Sequence, residues 1–242
     1  MTTPWWRHLL PGRCLLCQAA LPPEADPDVC GYCLDALPWN EPACPRCGLP
    51  LLQAGARCRD CARRRPPCSI TVAPLRYEAE AALWVRRLKD RAGMVEGRTL
   101  GVLLAQAVQR RYQQSPALRR PDLLAPVPLG WWRLARRGHN QAITLAVPVA
   151  RALGVPLARS LLTRHGGVRQ RGSSRARRLN QPANVFRCRR RWEPPGPCVA
   201  LVDDVITTGA TAAAAARTLI DAGAAEVHVL AATRTPPPDA PG

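Results

Sequence analysis

VALVDDVITTGAT, Val199 to Thr211, decides how the chain reads. Its first four residues are apolar and bounded by polar ones, so they predict a buried strand. Asp203 and Asp204 follow at the carboxyl end of that strand. A polar turn, Thr207-Thr208-Gly209-Ala210-Thr211, then opens an Ala-rich helix. A plain strand–turn–helix accounts for one capping Thr and the Gly. It does not account for two adjacent carboxylates at a strand end, where like charges repel. A ribose 5-phosphate unit does. The hydroxyls of Thr207, Thr208 and Thr211 and the free N–H groups of the new helix suit a phosphate, and Gly209 lets the backbone come close. Asp203 and Asp204 can accept hydrogen bonds from ribose hydroxyls, which makes them the candidate catalytic pair. No GxGxxG and no Gly-Lys-Ser/Thr occurs, so a dinucleotide fingerprint and a P-loop are excluded.

Elements alternate outward from this segment. Strands are expected at Ile70–Tyr77, Asp122–Leu129, Pro156–Leu162, Cys198–Val202 and Glu226–Ala232. Helices are expected at Ala79–Lys89, Val95–Tyr112, Asn140–Leu153 (closed by Gly154) and Thr211–Leu219. The alternation implies an α/β fold with a mostly parallel sheet flanked by helices. Ligands of such sheets bind in the crevice beyond the strand ends. The expected divisions are 1–68, Cys- and Pro-rich; 69–235, the α/β domain; and 236–242, a disordered Pro-rich tail.

The first division carries four CxxC pairs: Cys14/Cys17, Cys30/Cys33, Cys44/Cys47 and Cys58/Cys61. Zinc takes four soft ligands in a tetrahedron, and a CxxC turn presents two thiolates to one ion. Eight cysteines therefore suit two structural Zn²⁺ ions, whose binding supplies folding energy to a short module. Sequential pairing gives two zinc ribbons in tandem, whereas a cross-braced arrangement joins pairs one and three, then two and four. The similarity of the two halves favours the sequential form. All-Cys closed sites leave no open position for a substrate. Cys198 reads as a small core residue at a strand start.

The charge is strongly positive: 35 Lys+Arg against 17 Asp+Glu gives +18 across 242 residues. That balance favours anionic partners such as phosphates or nucleic acid. Lys89 is the single lysine. Arg133, Arg136 and Arg137 lie in a loop, WWRLARRGHNQ, expected at the same sheet edge as the two acids, where they can hold pyrophosphate. Mg²⁺ bridging pyrophosphate oxygens fits this arrangement. The alternative leaves the arginines solvated and packs Trp131 and Trp132 on the zinc module. A second loop, His165 to Asn184, carries Arg169, Arg171, Arg175, Arg177 and Arg178. It reads equally as a lid over the sugar, a track for a nucleic-acid backbone, or a plain basic loop. No segment is long enough to span a membrane and no signal-peptide pattern is present. The expectation is a cytoplasmic protein without membrane insertion, in a reducing compartment that disfavours disulfides.

The Val199–Thr211 segment resembles the type I phosphoribosyltransferase signature for 5-phosphoribosyl-1-pyrophosphate (PRPP). Leu88-Lys89, APVPL with Arg133, Arg136-Arg137-Gly138-His139-Asn140-Gln141, and Gln170 with Arg177, Asn180 and Phe186 resemble the ComF (competence protein F) family, as does the Cys-rich start. The resemblance covers almost the whole chain in the family's order. It departs at His139, where the family usually has Phe, and at LKDRAG, where it usually has LKYRGD. The resemblance implies a double zinc ribbon followed by a phosphoribosyltransferase-like domain, with PRPP or another phosphoribosyl group as ligand. Lys89, Arg133, Arg136, Arg137 and Gln170 then serve the pyrophosphate and its loop. It also implies a role in natural transformation, with single-stranded DNA and competence-machinery proteins as partners. Two functions stay open at this point. One is a phosphoribosyltransferase with an unspecified acceptor, for which His139 is the one acid–base candidate. The other is a non-catalytic factor that handles DNA or senses PRPP.

Overall fold

The computed structural model describes residues 12–55, 57–90, 93–165 and 185–237. Two Cys-rich units come first and repeat one another. Antiparallel bridges Arg13↔Ala20 and Ala43↔Pro50 close their first knuckles. Gln18 N and Gly48 N donate back to Cys14 O and Cys44 O. Short helices α1 (Gly31–Asp35) and α2 (Arg59–Arg63) then start on cysteine N-caps, Cys30 and Cys58.

The rest is an α/β layer structure. Strands β1 (Ile70–Val72) and β2 (Leu75–Arg76) lead to helices α3 (Ala79–Leu88) and α4 (Met94–Gln114). Strand β3 (Leu123–Pro126) leads to α5 (Trp131–Arg137) and α6 (Gln141–Leu153). A hairpin of β4 (Leu162–Arg164) and β5 (Phe186–Cys188) stands apart as its own two-stranded sheet. Then come β6 (Cys198–Ile206), α7 (Ala210–Asp221) and β7 (Glu226–Arg234). The main sheet runs β1-β7-β6-β3, with β2 also on β7, and every pair in it is parallel.

Side chains of β6 alternate between two cores, as the pleat requires. Ala200 and Val202 face the cluster built from α3, α4 and α6. Val199 and Leu201 face α7 and its alanines. Leu201 and Leu219 are fully buried on that side, each contributing about 1.5–3 kcal/mol over an exposed position. The small residues of α4 let α6 approach closely: a Cβ on Gly101 meets Pro148 Cγ at 2.9 Å.

Four expectations change. The single strand over 70–77 is broken at Ala73-Pro74, since proline brings no donor to a ladder. WWRLARRGHNQ is not all loop: Trp131–Arg137 is helical and ends on Gly138 at φ +76°. Pro156–Leu162 is not a strand; Leu157 makes one isolated bridge to Leu124, and the strand starts at Leu162. The loop over 165–186 ends in β5, which pairs antiparallel with β4. The signal for that hairpin is split across a long insertion, so periodicity does not show it.

Candidate functional site

Strand β6 is longer than its apolar run. It pairs with β7 through Ile206, while β3 reaches only Val202. Asp203 and Asp204 therefore lie inside the strand, on the stretch that has outrun β3. The two acids are neighbours on that stretch, and their carboxyls interact directly. Lys89 Nζ, just past the end of α3, lies 3.5 Å from Asp204 Oδ2. The Arg164 guanidinium, on β4, feels the Asp203 charge and sits 5.4 Å from the Phe186 ring centroid. Removal from water pushes the Asp203 carboxyl well above the usual carboxylate range. The neighbouring Asp204 charge adds to that rise, and Lys89 opposes it. Both carboxylates are steadied by backbone donors: Asp204 N donates to Asp203 Oδ1 at 2.9 Å, and Val205 N to Asp204 Oδ1 at 2.8 Å.

The loop after β6 turns sharply into α7. Thr207 and Thr208 are exposed, and Gly209, at φ +78°, is the helix N-cap. A side chain there has space, so the left-handed backbone itself selects glycine. Ala210 N donates to Thr208 Oγ1 at 3.3 Å. Ala210 and Thr211 form the first turn of α7, whose N–H groups and dipole point out of the same loop. A residue the sequence motifs do not flag holds this loop. Arg234 ends β7 and is 6 % exposed. Its Nη1 donates to the carbonyls of Ile206, Thr207 and Thr235, and its Nε to Cys47 O at 3.1 Å.

The RGHNQ residues join the edges of the crevice. Arg137 Nη1 donates to Gln141 Oε1 at 3.1 Å. His139 places Nε2 3.0 Å from Leu88 O and Nδ1 3.1 Å from Arg137 O. Asn140 caps α6 through Ala142 N and donates to Val127 O at 3.1 Å. This tie explains why Leu88-Lys89, Pro126-Val127-Pro128 and RGHNQ belong together: they are one wall. His139 is a bridge in that wall, with each ring nitrogen facing a carbonyl oxygen. Arg137 is half-buried, which works against its charge, while Asp204 favours it. Arg133 and Arg136 stay exposed beside it. Trp131 and Trp132 do not pack on the zinc units; they are 62 % and 75 % exposed and stack on each other. Gln170, Arg177 and Asn180 lie outside the described residues. Arg164 is the cation that motif reading missed; its only sequence signal is its place opposite Phe186, which needs the hairpin register.

Cysteines 14, 17, 30 and 33 form one set, and 44, 47, 58 and 61 a second, with all Sγ atoms of a set within 4.8 Å of one another. The pairing is sequential, not cross-braced. A zinc ion with bonds of about 2.3 Å needs sulfurs at roughly this spacing. Between pairs, the Cys17 and Cys30 sulfurs lie 3.6 Å apart and those of Cys47 and Cys58 3.5 Å apart. Burial opposes ionisation of Cys14 and Cys44. Backbone N–H groups, led by those of Cys30 and Cys58, outweigh it and lower the thiols to about 6 and about 7. These are closed, structural zinc sites. The second unit leans on the sheet: Thr71 Oγ1 donates to Arg46 O at 2.7 Å, and Asn40 Nδ2 to Gly48 O and Ala73 O.

Cys198 is core, as its strand position suggests, but it has polar company. It lies with His228 and Glu226 at the start of β6 and β7, the sheet end away from Asp203. His228 Nδ1 faces Tyr112 Oη at 2.7 Å, and Nε2 faces Glu226 Oε1 at 3.0 Å. Cys198 Sγ is 3.8 and 3.7 Å from the two nitrogens. Together they form a buried hydrogen-bond chain.

The Cys-rich half matches a known family, and the whole chain is similar to known proteins. A double zinc ribbon domain family matches residues 5–62. The DNA utilization protein YhgH of Salmonella typhimurium is 33 % identical over 93 % of this chain and 98 % of its own length. Competence protein F of Haemophilus influenzae is 32 % identical over 90 % of this chain and 94 % of its own. Among solved structures, the glutamine PRPP amidotransferase of B. subtilis is similar over 62 % of this chain and 26 % of its own, at 25 % identity and a TM-score of 0.36. Sequence identity at this level, over nearly the full length of both chains, makes the protein a member of the ComF family, with competence protein F and YhgH.

Proposed function

We propose that the crevice at the carboxyl end of β6 binds the phosphoribosyl group of PRPP in a protein that handles single-stranded DNA. The observation that carries the first half is the acid pair on β6, with Lys89 Nζ 3.5 Å from Asp204, followed at once by the Gly209 turn and the start of α7. In this reading Asp203 and Asp204 take the ribose hydroxyls, and Thr207, Thr208, Gly209, Ala210 and Thr211 take the 5-phosphate. Arg133, Arg136 and Arg137 serve the pyrophosphate, and Lys89 neutralises Asp204 within reach of the same anion. Mg²⁺ would be held mainly by the ligand, with the carboxylates and water completing its shell. Titration calorimetry with PRPP and Mg²⁺ tests this. Asp203→Ala/Asp204→Ala is expected to lose more than about ten-fold in affinity, from charge-assisted hydrogen bonds of roughly 1.5–3 kcal/mol each. A silent wild type, or a variant that binds as well, sinks it.

The second half rests on family membership and the +18 charge. Binding of an oligonucleotide should weaken steeply with salt as counterions are released. Salt-independent binding, or none, rejects it. Transfer of the phosphoribosyl group to a base would mark an enzyme; binding without turnover would mark a PRPP-responsive DNA factor.

A further inference from the structure

Helix α5 has no reason to exist for the core. None of its residues is buried. A seven-residue helix without a buried face is marginal in water on its own. It is instead fixed at its end, by Gly138, the Arg137–Gln141 bond and the His139 bridge to Leu88. What this anchored helix presents is unusual for a free surface. Trp131 and Trp132 are among the most exposed large apolar side chains described, with Leu134, 44 % exposed, beside them. The two indoles stack at 4.3 Å between centroids and 28° between planes. Arg136 is one turn beyond Trp132, and Arg137 one turn beyond Arg133, so cations line the helix beside the rings.

Each half of this surface alone has several partners. Arginines suit any phosphate. Exposed apolar rings suit a protein or a lipid. Together, on a chain of charge +18, they suit one ligand best: a polyanion with accessible aromatic faces. A duplex hides its base faces, whereas a single strand offers them. We propose that the Trp131–Trp132 platform on α5 stacks unpaired bases of single-stranded DNA while Arg133 and Arg136, which the strand shares with the pyrophosphate of PRPP, hold its phosphates. The helix spans about 10 Å at 1.5 Å per residue. A strand held there runs toward Arg137 and the Asp204 edge of the crevice, so nucleic acid and phosphoribosyl ligand meet on one wall. The proposal rests on the DNA-handling half of the function above.

Fluorescence anisotropy with labelled oligothymidylate, longer than a site of about 4–16 nucleotides, tests it on the full chain. Trp131→Ala/Trp132→Ala is expected to weaken binding roughly ten-fold or more, as removal of base–aromatic stacking does, with an unchanged salt slope. Trp131→Phe/Trp132→Phe should restore most of the affinity. Arg133→Gln/Arg136→Gln should instead reduce the slope, by about 0.7 for each phosphate that is no longer neutralised. A duplex of the same length should compete poorly. The rings are exposed, so melting curves should match wild type; photocrosslinking of a 4-thiothymidine oligomer to the Trp131–Arg137 peptide in wild type gives a readout free of substitutions. If wild type binds single strands and the Trp variant binds equally well, the platform is wrong while DNA handling stands. If wild type binds no single strand, both fall. Loss of binding to anionic phosphatidylglycerol vesicles, with oligomer binding intact, would assign the rings to a membrane surface and overturn the proposal.

Discussion

Asp203 shows how the site is held against its own stability. Burial and the Asp204 charge raise its pKa in the folded state above the unfolded value. A raised carboxyl contributes stability below the ordinary carboxylate range and loses it as pH climbs through the folded value. Asp203→Asn removes that loss. The variant should melt higher than wild type at neutral pH, with the gap closing toward pH 4, while its PRPP affinity falls. A lower melting temperature at neutral pH would contradict this account of the acid pair. Arg234 is the opposite case, a buried charge whose removal should harm both properties. Arg234→Met takes the side-chain donor from the Thr207 carbonyl and one of two donors from the Ile206 carbonyl, which keeps Thr235 N, at about 1–3 kcal/mol for a buried group left unpaired. Denaturant melts should show that loss, and calorimetry should show weaker PRPP binding because the phosphate loop is no longer pinned. An Arg234→Met protein as stable as wild type would rule out the pin.

At the scale of elements, α/β order was legible because apolar runs and caps are local. Strand β6, helix α6 with Asn140 and Gly154 at its ends, and the Gly209 turn all follow from a few neighbouring residues. What was not legible is what depends on distant partners. The β4–β5 hairpin joins segments more than twenty residues apart, and it alone places Arg164 opposite Phe186. The role of Arg234 needs the zinc unit and the phosphate loop in one place, which no spacing rule reports. Helix α5 escaped because it has no buried stripe for periodicity to reveal. The turn into α7 gives the matching prediction. Gly209→Val forces a β-branched residue into the left-handed region, at roughly 1–2 kcal/mol. Because a Cβ there meets nothing closer than Ile206 Cγ2 at 3.9 Å, the harm is to backbone shape, not packing. PRPP binding should drop out of proportion to the fall in melting temperature; equal binding would show that the loop does not need this conformation.

The whole molecule couples its two zinc units to the sheet unequally. The first unit shares the apolar cluster of α3, α4 and α6 through Cys14, Leu21, Val29, Cys33 and Leu37, and adds Arg98 with Asp26 and Asp28, ion pairs of small individual worth. The second is tied to the sheet by Thr71, Asn40 and Arg234, and the Arg234 bond ends on Cys47, a member of the second Cys set. Zinc at the second site therefore holds the carbonyl that orients Arg234, and Arg234 holds the loop that leads into α7. Purified protein should carry two zinc ions per chain, released on thiol modification and counted with a colorimetric chelator. Cys58→Ser/Cys61→Ser should remove one ion and weaken PRPP binding about five-fold, the worth of one hydrogen bond near 1 kcal/mol. Cys30→Ser/Cys33→Ser should also remove one ion, yet leave PRPP affinity unchanged, because no bond runs from that set to the loop among the described residues. Equal effects from the two pairs would mean that zinc acts on the site only through general stability. Unequal effects in the stated order would make the second ribbon part of the proposed site's support, which fits a chain whose relatives match it over nearly its whole length.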